Sequence, residues 1–337
     1  MPLIHGKKAV LAALLGGSGL SSVLARRQRG LLLVFNYHRI KPDGAFSTAV
    51  DPGVYGPTAS EFDRQVAWIS RHFHLLSEDA LLTTLSRRDP PAEPTAVITF
   101  DDGYSDNFTI ARPILRRHRA SALFFVPARL IEERSLGWWD QIAYALKHAR
   151  RQEFELAGRR FSLLGGQCTL RELLTWMKKQ PEAETRDLVE KLARAADTSL
   201  PTAEEQSAEL MTWEHLRECT KSGIAVGSHG HTHRVLSTLS PEDQRVELSE
   251  SKDLITRRIG EIVRTVAFPV GGRGHFTAVT KSLAENLGYQ AAFSFQGPRA
   301  VNRWGAIDLF DIRRLAAPNS ASLIAALAAA PNLMASR

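Results

Sequence analysis

Leu31 to Tyr37 (LLLVFNY) is almost continuously apolar, the pattern of a strand covered on both faces, and it stops at His38 and Arg39. A loop rich in Gly, Pro, Asp and Ser occupies 41–60, after which Phe62, Val66 and Ile69 fall at helical spacing over 61–71. A second helical stretch near 78–86 leads through prolines to AVITF at 96–100, a short buried strand ending directly in Asp101, Asp102 and Gly103. A helix over 107–119 and a strand at 121–126 (SALFFV) continue the alternation, which resumes at 224–227, around 265–268 and near 290–295. Strands alternating with helices predict an α/β fold with a parallel sheet or barrel.

Between 141 and 208 the strand signals fade into charged, helix-forming sequence. The expected organisation is therefore a barrel over 31–319 carrying a helical insertion at 141–208, preceded by a basic and apolar segment (1–30) and followed by an alanine-rich closing helix and tail (320–337).

Composition narrows the function. With 337 residues, 44% apolar and 23% charged, the chain is an ordinary globular protein with ample core. The net charge of +7 is spread along the sequence without interleaved aromatics, which argues against a nucleic-acid partner and suits attraction to an anionic membrane surface. Cys168 and Cys219 are far apart with no CxxC spacing, so neither a thiolate zinc site nor a disulfide scaffold is supported. At the N-terminus, Lys7 and Lys8 precede an apolar run at 9–15, which Gly16, Gly17 and Gly19 interrupt before Arg26, Arg27 and Arg29. Two readings stand: an export signal, or a short amphipathic helix that packs on the domain or lies on the inner membrane surface. The diluted apolar run and the following arginines favour the second. The expected location is thus cytoplasmic or peripheral on the inner membrane, with export as the alternative. The run is far short of the roughly 20 apolar residues that a spanning helix requires.

Two motifs carry candidate chemistry: TFDDGYSDN at 99–107 and SHGHTH at 228–233. Adjacent carboxylates at a strand's C-terminal end resist joint ionisation unless a cation compensates, so the pair invites a metal. His229 and His233 can converge on one ion at the roughly 2.0 to 2.2 Å of imidazole–metal bonds. With Asp102 they would form a two-histidine, one-carboxylate face with open coordination positions, the mark of a catalytic ion. Taken singly, Asp-Asp-Gly reads as a turn and the histidines as solvent-facing; it is their joint occurrence after apolar strands that supplies a ligand set.

These motifs, together with FNYHRI, PIL, ALFFV, WWD and AFPVGG, resemble the polysaccharide deacetylases, carbohydrate esterase family 4, over about 31–317. The resemblance implies a distorted (β/α) barrel of about seven strands and a divalent metal, zinc first, with cobalt, nickel or iron also suited to the ligands. By position, Asp101 resembles the catalytic base, and Asp102, His229 and His233 the metal ligands. Val270, following Pro269 in the third motif, resembles the backbone N–H donor to the oxyanion, and both residues are expected to meet the substrate. His231, between the ligands, is a weaker candidate.

The chain departs from the family pattern twice. Ala267 stands where many members carry an arginine that holds the base, so Arg314 is nominated in its place and Arg264 second. No histidine follows His275, so His38 replaces the late histidine as catalytic acid. Trp138, Trp139 and Asp140 are a further candidate set, the rings for stacking on sugar and Asp140 for a hydroxyl. The implied activity is removal of N-acetyl groups from amino sugars of a bacterial surface polysaccharide or its lipid-linked precursor, with a glycan or glycolipid partner and an open oligomeric state. Alternatives are hydrolysis of another small amide or ester, such as a formamide, and carbohydrate binding by a lapsed site.

Overall fold

A computed structural model describes residues 20–87, 91–165, 167–178, 180, 182–296 and 301–329. Most of the N-terminal segment (1–19) and the end of the tail (330–337) lie outside the described residues.

Seven parallel strands follow one another around the sheet in chain order: β1 (Leu31–Tyr37), β2 (Thr95–Asp101), β3 (Ala122–Val126), β4 (Ile224–Ser228), β5 (Thr265–Ala267), β6 (Ala291–Ser294) and β7 (Ile312–Arg313). Asn302–Arg303 pairs antiparallel with the start of β1. The barrel closes through one short stretch, in which β7 pairs with β6 and Leu315–Ala316, one residue further on, pairs in parallel with β1 at Phe35 and Asn36. Arg314 occupies the break between these two pairings. The barrel and its strand number agree with the sequence expectation.

The period-2 alternation of the strands builds two cores. Leu33, Phe35, Ile98, Phe100 and Phe124 face outward under helices, where they meet Phe62, Val66 and Ile69 of Ala59–His72, and Leu248 and Ile255 of Pro241–Ile259. Leu32, Val34, Val97, Leu123, Phe125 and Phe293 face inward and are joined by Leu81, Leu82 and Leu85 of the helix Glu78–Arg87. Each such side chain contributes roughly 1.5–3 kcal/mol by leaving water. Followed towards the C-terminal strand ends, the inward series becomes polar at Asn36, Thr99 and Asp101, all buried. The lower barrel is therefore a plug of apolar side chains, and its upper mouth is where polar chemistry is concentrated.

The 141–208 segment has its own core, including Ile142, Phe154, Phe161, Leu173 and Leu192. Its helices are Trp138–Lys147 at the entrance, Gln167–Met177, Glu182–Ala195 and Ala203–Ala208. An all-helical insertion was the expectation, yet Glu153–Leu156 and Arg159–Ser162 form an antiparallel hairpin. Glu153 to Leu156 alternates exposed and buried, and Ala157 and Gly158 both adopt positive φ, 51° and 74°, as a two-residue hairpin turn requires. Alanine is a poor advertisement for such a turn, which is why the charged pattern read as helix.

Near the termini, Leu20–Arg26 packs against the closing helix Ala321–Ala329, with Gln28 Nε2 donating to the Ala329 carbonyl at 2.9 Å. Among the described residues, no helix is long and apolar enough to cross a membrane.

Candidate active site

Asp101 is the last residue of β2 and points into the barrel mouth. Its Oδ1 accepts from Arg314 Nη1 at 2.7 Å and its Oδ2 from Asn36 Nδ2 at 3.0 Å. Arg314 also donates to Asn36 Oδ1 at 2.8 Å and to the Ser294 carbonyl at 3.3 Å, while Thr99 Oγ1 donates to the same Asn36 oxygen at 2.8 Å. With 1% of its side chain exposed, Arg314 cannot act as a surface charge. Burial pushes the Asp101 pKa up, but Arg314, His229 and His38 together outweigh it and hold the carboxyl below its ordinary range. The nomination of Arg314 thus meets its predicted partner. Arg264 does not: it pairs with Glu78 and Asp79 at the start of β5, away from the mouth.

Asp102 departs from the strand direction with φ 73°, and Gly103 follows at φ 71°. Glycine suits this left-handed position, where a Cβ would also press on Ile131 Cδ1 at 2.7 Å and Val126 Cγ1 at 3.1 Å. The turn directs Asp102 Oδ1 towards two imidazoles, 3.6 Å from His229 Nε2 and 3.4 Å from His233 Nε2. That oxygen is buried and has no hydrogen-bond partner among the described residues. His229, at the end of β4, donates from Nδ1 to the Ala267 carbonyl at 2.7 Å, which leaves the Nε2 lone pair aimed at Asp102. One donor atom from each of the three residues lies within 4.8 Å of the others. Burial, reinforced by Asp101, raises the Asp102 pKa; burial lowers His229 to about 4 and His233 well below its ordinary value. A carboxylate oxygen without a donor, facing two neutral imidazole nitrogens, fits a divalent cation.

The histidine loop is held from behind. Glu247, on Pro241–Ile259, accepts from the His231 N–H at 2.9 Å, the Thr232 N–H at 3.0 Å and Thr232 Oγ1 at 2.5 Å. His233 has φ 65° and Val270 φ 61°, so with Asp102 three non-glycine residues of the mouth adopt left-handed backbone. Conformations of this kind persist only where their surroundings enforce them.

These groups line a pocket of about 310 Å³ whose floor also includes Asn36, His38 and Val270. His38 follows β1 with a third of its side chain exposed and its Nε2 3.9 Å from Asp101 Oδ2. Trp138 and Trp139 both face the pocket. Trp139 is nearly buried, however, donating from Nε1 to Tyr104 Oη at 3.0 Å with its ring 4.3 Å from that of His233, so it buttresses a candidate ligand.

Two sequence expectations are corrected, for Asp140 and Pro269, and the weaker candidate His231 proves to lie outside the ligand set. Asp140, 0% exposed, does not reach the pocket; it accepts from Tyr104 Oη at 2.7 Å and from the Asp51 N–H at 3.2 Å, which occupies it against any sugar hydroxyl. Pro269 is buried behind the histidine loop, against Gly230, and only Val270 faces the cavity. His231 turns away from the ligand set towards Glu250, 3.4 Å distant.

Residues not singled out in the sequence complete the enclosure. The insertion overhangs one side with Leu174, Met177, Lys178 and Arg171, the last paired to the buried Asp51. Asn36 carried a signal in hindsight, as a lone amide in an otherwise apolar strand. Glu247 and Arg171 carried none, since only the tertiary fold brings them to the mouth.

A barrel with an Asp-His-His cluster and a buffered second aspartate at its C-terminal mouth is the scaffold of a hydrolase. The chain belongs to the polysaccharide deacetylase family, whose model matches residues 88–292. It is 21% identical over 254 residues to YxkH of Bacillus subtilis (strain 168), itself assigned by inference as a polysaccharide deacetylase. That match covers 75% of this chain and 63% of the relative, less than two thirds of its length. Among solved structures, the chain is similar to the Streptococcus pyogenes deacetylase PplD in complex with acetate, with a TM-score of 0.56, 18% identity, and coverage of 86% of this chain and 93% of that one. It is also similar to IcaB from Ammonifex degensii, with a TM-score of 0.54, 19% identity, and coverage of 90% and 98%. At these identities the structural likenesses speak for the fold.

Proposed function

We propose that this chain hydrolyses the N-acetyl group of an amino sugar in a bacterial surface polysaccharide or its lipid-linked precursor. The observation that carries the reading is the meeting of Asp102, His229 and His233, with Asp101 beside them as a guarded carboxylate. Two imidazole nitrogens and one carboxylate oxygen would hold zinc, with cobalt, nickel or iron as alternatives. Such an ion supplies Lewis acidity to the acetyl carbonyl and lowers the pKa of water.

The remaining work falls to the chain's own groups. Asp101 is kept ionised by Arg314 and is free on its pocket side to take a proton from attacking water. Asn36 and Arg314 fix its rotamer, so that little reorganisation accompanies the transfer. The Val270 N–H, on a left-handed residue lining the pocket, is the donor for the developing oxyanion. His38, across the Asp101 carboxylate, is positioned to deliver a proton to the departing amine. The S. pyogenes deacetylase bound to acetate, the acid that such a reaction releases, supports the same reading.

The test is acetate release from N-acetylglucosamine oligomers and from a lipid-linked N-acetyl sugar, before and after treatment with a chelator and after refilling with Zn²⁺. Release that stops with the chelator and returns with the ion is expected. Protein with the ion bound that frees acetate from none of them would overturn the assignment.

A further inference from the structure

Four cationic side chains, Arg171, Lys178, Arg234 and Arg314, line the pocket against three carboxylates, Asp51, Asp101 and Asp102. The balance is already positive, and a divalent ion on the Asp-His-His cluster would add two more charges. A cleft of one sign with low-dielectric walls concentrates ligands of the opposite sign. A neutral sugar polymer would gain nothing from this field.

The cations are not equivalent. Arg314 is committed to Asp101 and Arg171 to Asp51. Lys178 directly follows the helix Gln167–Met177, and its ammonium forms no ion pair or hydrogen bond among the described residues. It lines the same pocket as His38, Asp101 and Asp102. Lys178 is exposed at the opening beside Arg171, a like charge that weighs against its ammonium form and that an anionic ligand would offset. Leu174 and Met177, on the last turn of the same helix, also line the pocket, although at 6% and 2% exposure most of each belongs to the insertion's own core.

We infer that the substrate is an acetamido sugar carrying a phosphoryl group, with Lys178 receiving that group at the roof while the acetamide meets the Asp-His-His cluster on the floor. The inference rests on the deacetylase reading above and adds the substrate's chemical class. Lys178 is a specificity residue on this account, and a compact ammonium on a flexible stem suits a phosphoryl oxygen. A soluble sugar phosphate and a phospholipid-linked sugar share that chemistry, and the arms of the experiment distinguish them.

The experiment compares kcat/KM of the full chain reconstituted with Zn²⁺ on N-acetylglucosamine 1-phosphate, on polyprenyl-phosphate-linked N-acetylglucosamine in detergent micelles, and on uncharged tri-N-acetylchitotriose. Each phosphorylated compound is expected to exceed the uncharged one by about tenfold or more at low salt, with the ratio shrinking as ionic strength rises. Lys178→Glu should collapse that ratio and Lys178→Arg should retain most of it, chiefly through KM. A higher value for the micellar substrate assigns the phosphoryl group to a lipid, and equal values to a soluble sugar phosphate. Ratios near one, unchanged in Lys178→Glu, overturn the proposal while leaving deacetylation in place. Acetate from none of the three, with Zn²⁺ binding verified by calorimetry, overturns the deacetylase reading and this inference together.

Discussion

The floor and the roof of the pocket each contain an arginine–aspartate pair, and the two pairs are built on different principles. On the floor, Arg314 and Asp101 are both almost fully buried, and the side chains of Asn36 and Thr99 and the Ser294 carbonyl join their network. On the roof, Arg171 reaches Asp51 from a helix of the insertion with nearly half of its own side chain exposed. The floor comes from strand ends fixed by the barrel's ladder, whereas the roof comes from an appendage with a separate core. The contrast assigns chemistry to the rigid region and recognition to the other. Variants that strike each region should separate the two.

The largest effect is expected at Asp101. Asp101→Asn keeps the shape but removes the proton acceptor, so turnover should fall by about 10²- to 10⁴-fold. Metal affinity by calorimetry should stay within a few-fold of the parent, because Asp101 is not among the three converging donors. Full activity in this variant would remove Asp101 from the proposed role. His229→Ala should instead weaken metal binding and turnover together.

Next comes Arg314→Met. It leaves a buried carboxylate without its cation, and breaking a buried pair in this way costs about 3–5 kcal/mol. Denaturant unfolding should show the loss, and Arg314→Lys should recover only part of it, since one ammonium cannot both take the place of Nη1 between Asp101 and Asn36 and reach the Ser294 carbonyl as Nε does. A loss under about 1 kcal/mol would mean that the floor is no more tightly specified than an exposed ion pair.

Glu247→Gln tests the layer behind the ligands. The amide oxygen can still face the His231 and Thr232 N–H groups, but the charge that strengthens both bonds is lost and an NH2 replaces the oxygen that accepts from the Thr232 hydroxyl. The loop that aims His233 should then loosen, and metal affinity should fall by about 10- to 100-fold, as is typical when a partner that orients a ligand is lost. Calorimetric titration with Zn²⁺ reads this without recourse to turnover.

The same contrast explains what could be read from the sequence. The strands of the floor were legible because burial on both faces leaves apolar runs such as LLLVFNY and AVITF, and because the chemistry sits at their ends in local motifs. Arg314 was reachable by a charge argument: a buried base without the usual arginine needs a cation from somewhere. Asp140 and Pro269 were misread because adjacency in sequence was taken for adjacency in the pocket, and a helix start or a strand-end turn sends neighbouring side chains in opposite directions. Asn36, Glu247 and the roof residues were silent, since their role exists only once distant elements have packed. The insertion's hairpin was hidden by its charged outward face.

The smallest effect should fall on the roof. Arg171→Ala removes a half-exposed guanidinium, and solvent screening limits such a pair to roughly 0.2–1 kcal/mol. Asp51 keeps its hydrogen bond from the Gly53 N–H at 2.7 Å, as Asp101 keeps that from Asn36 at 3.0 Å, so the difference between the two variants rests on the cation removed, half-exposed in Arg171 and buried in Arg314. Unfolding midpoints of Arg171→Ala and Arg314→Met, measured side by side, should therefore differ by several kcal/mol although both variants break an arginine–aspartate pair in one pocket. Should the two losses prove equal, the roof would be as integral to the fold as the floor, and the division between a chemical region and a recognition region would lose its physical basis.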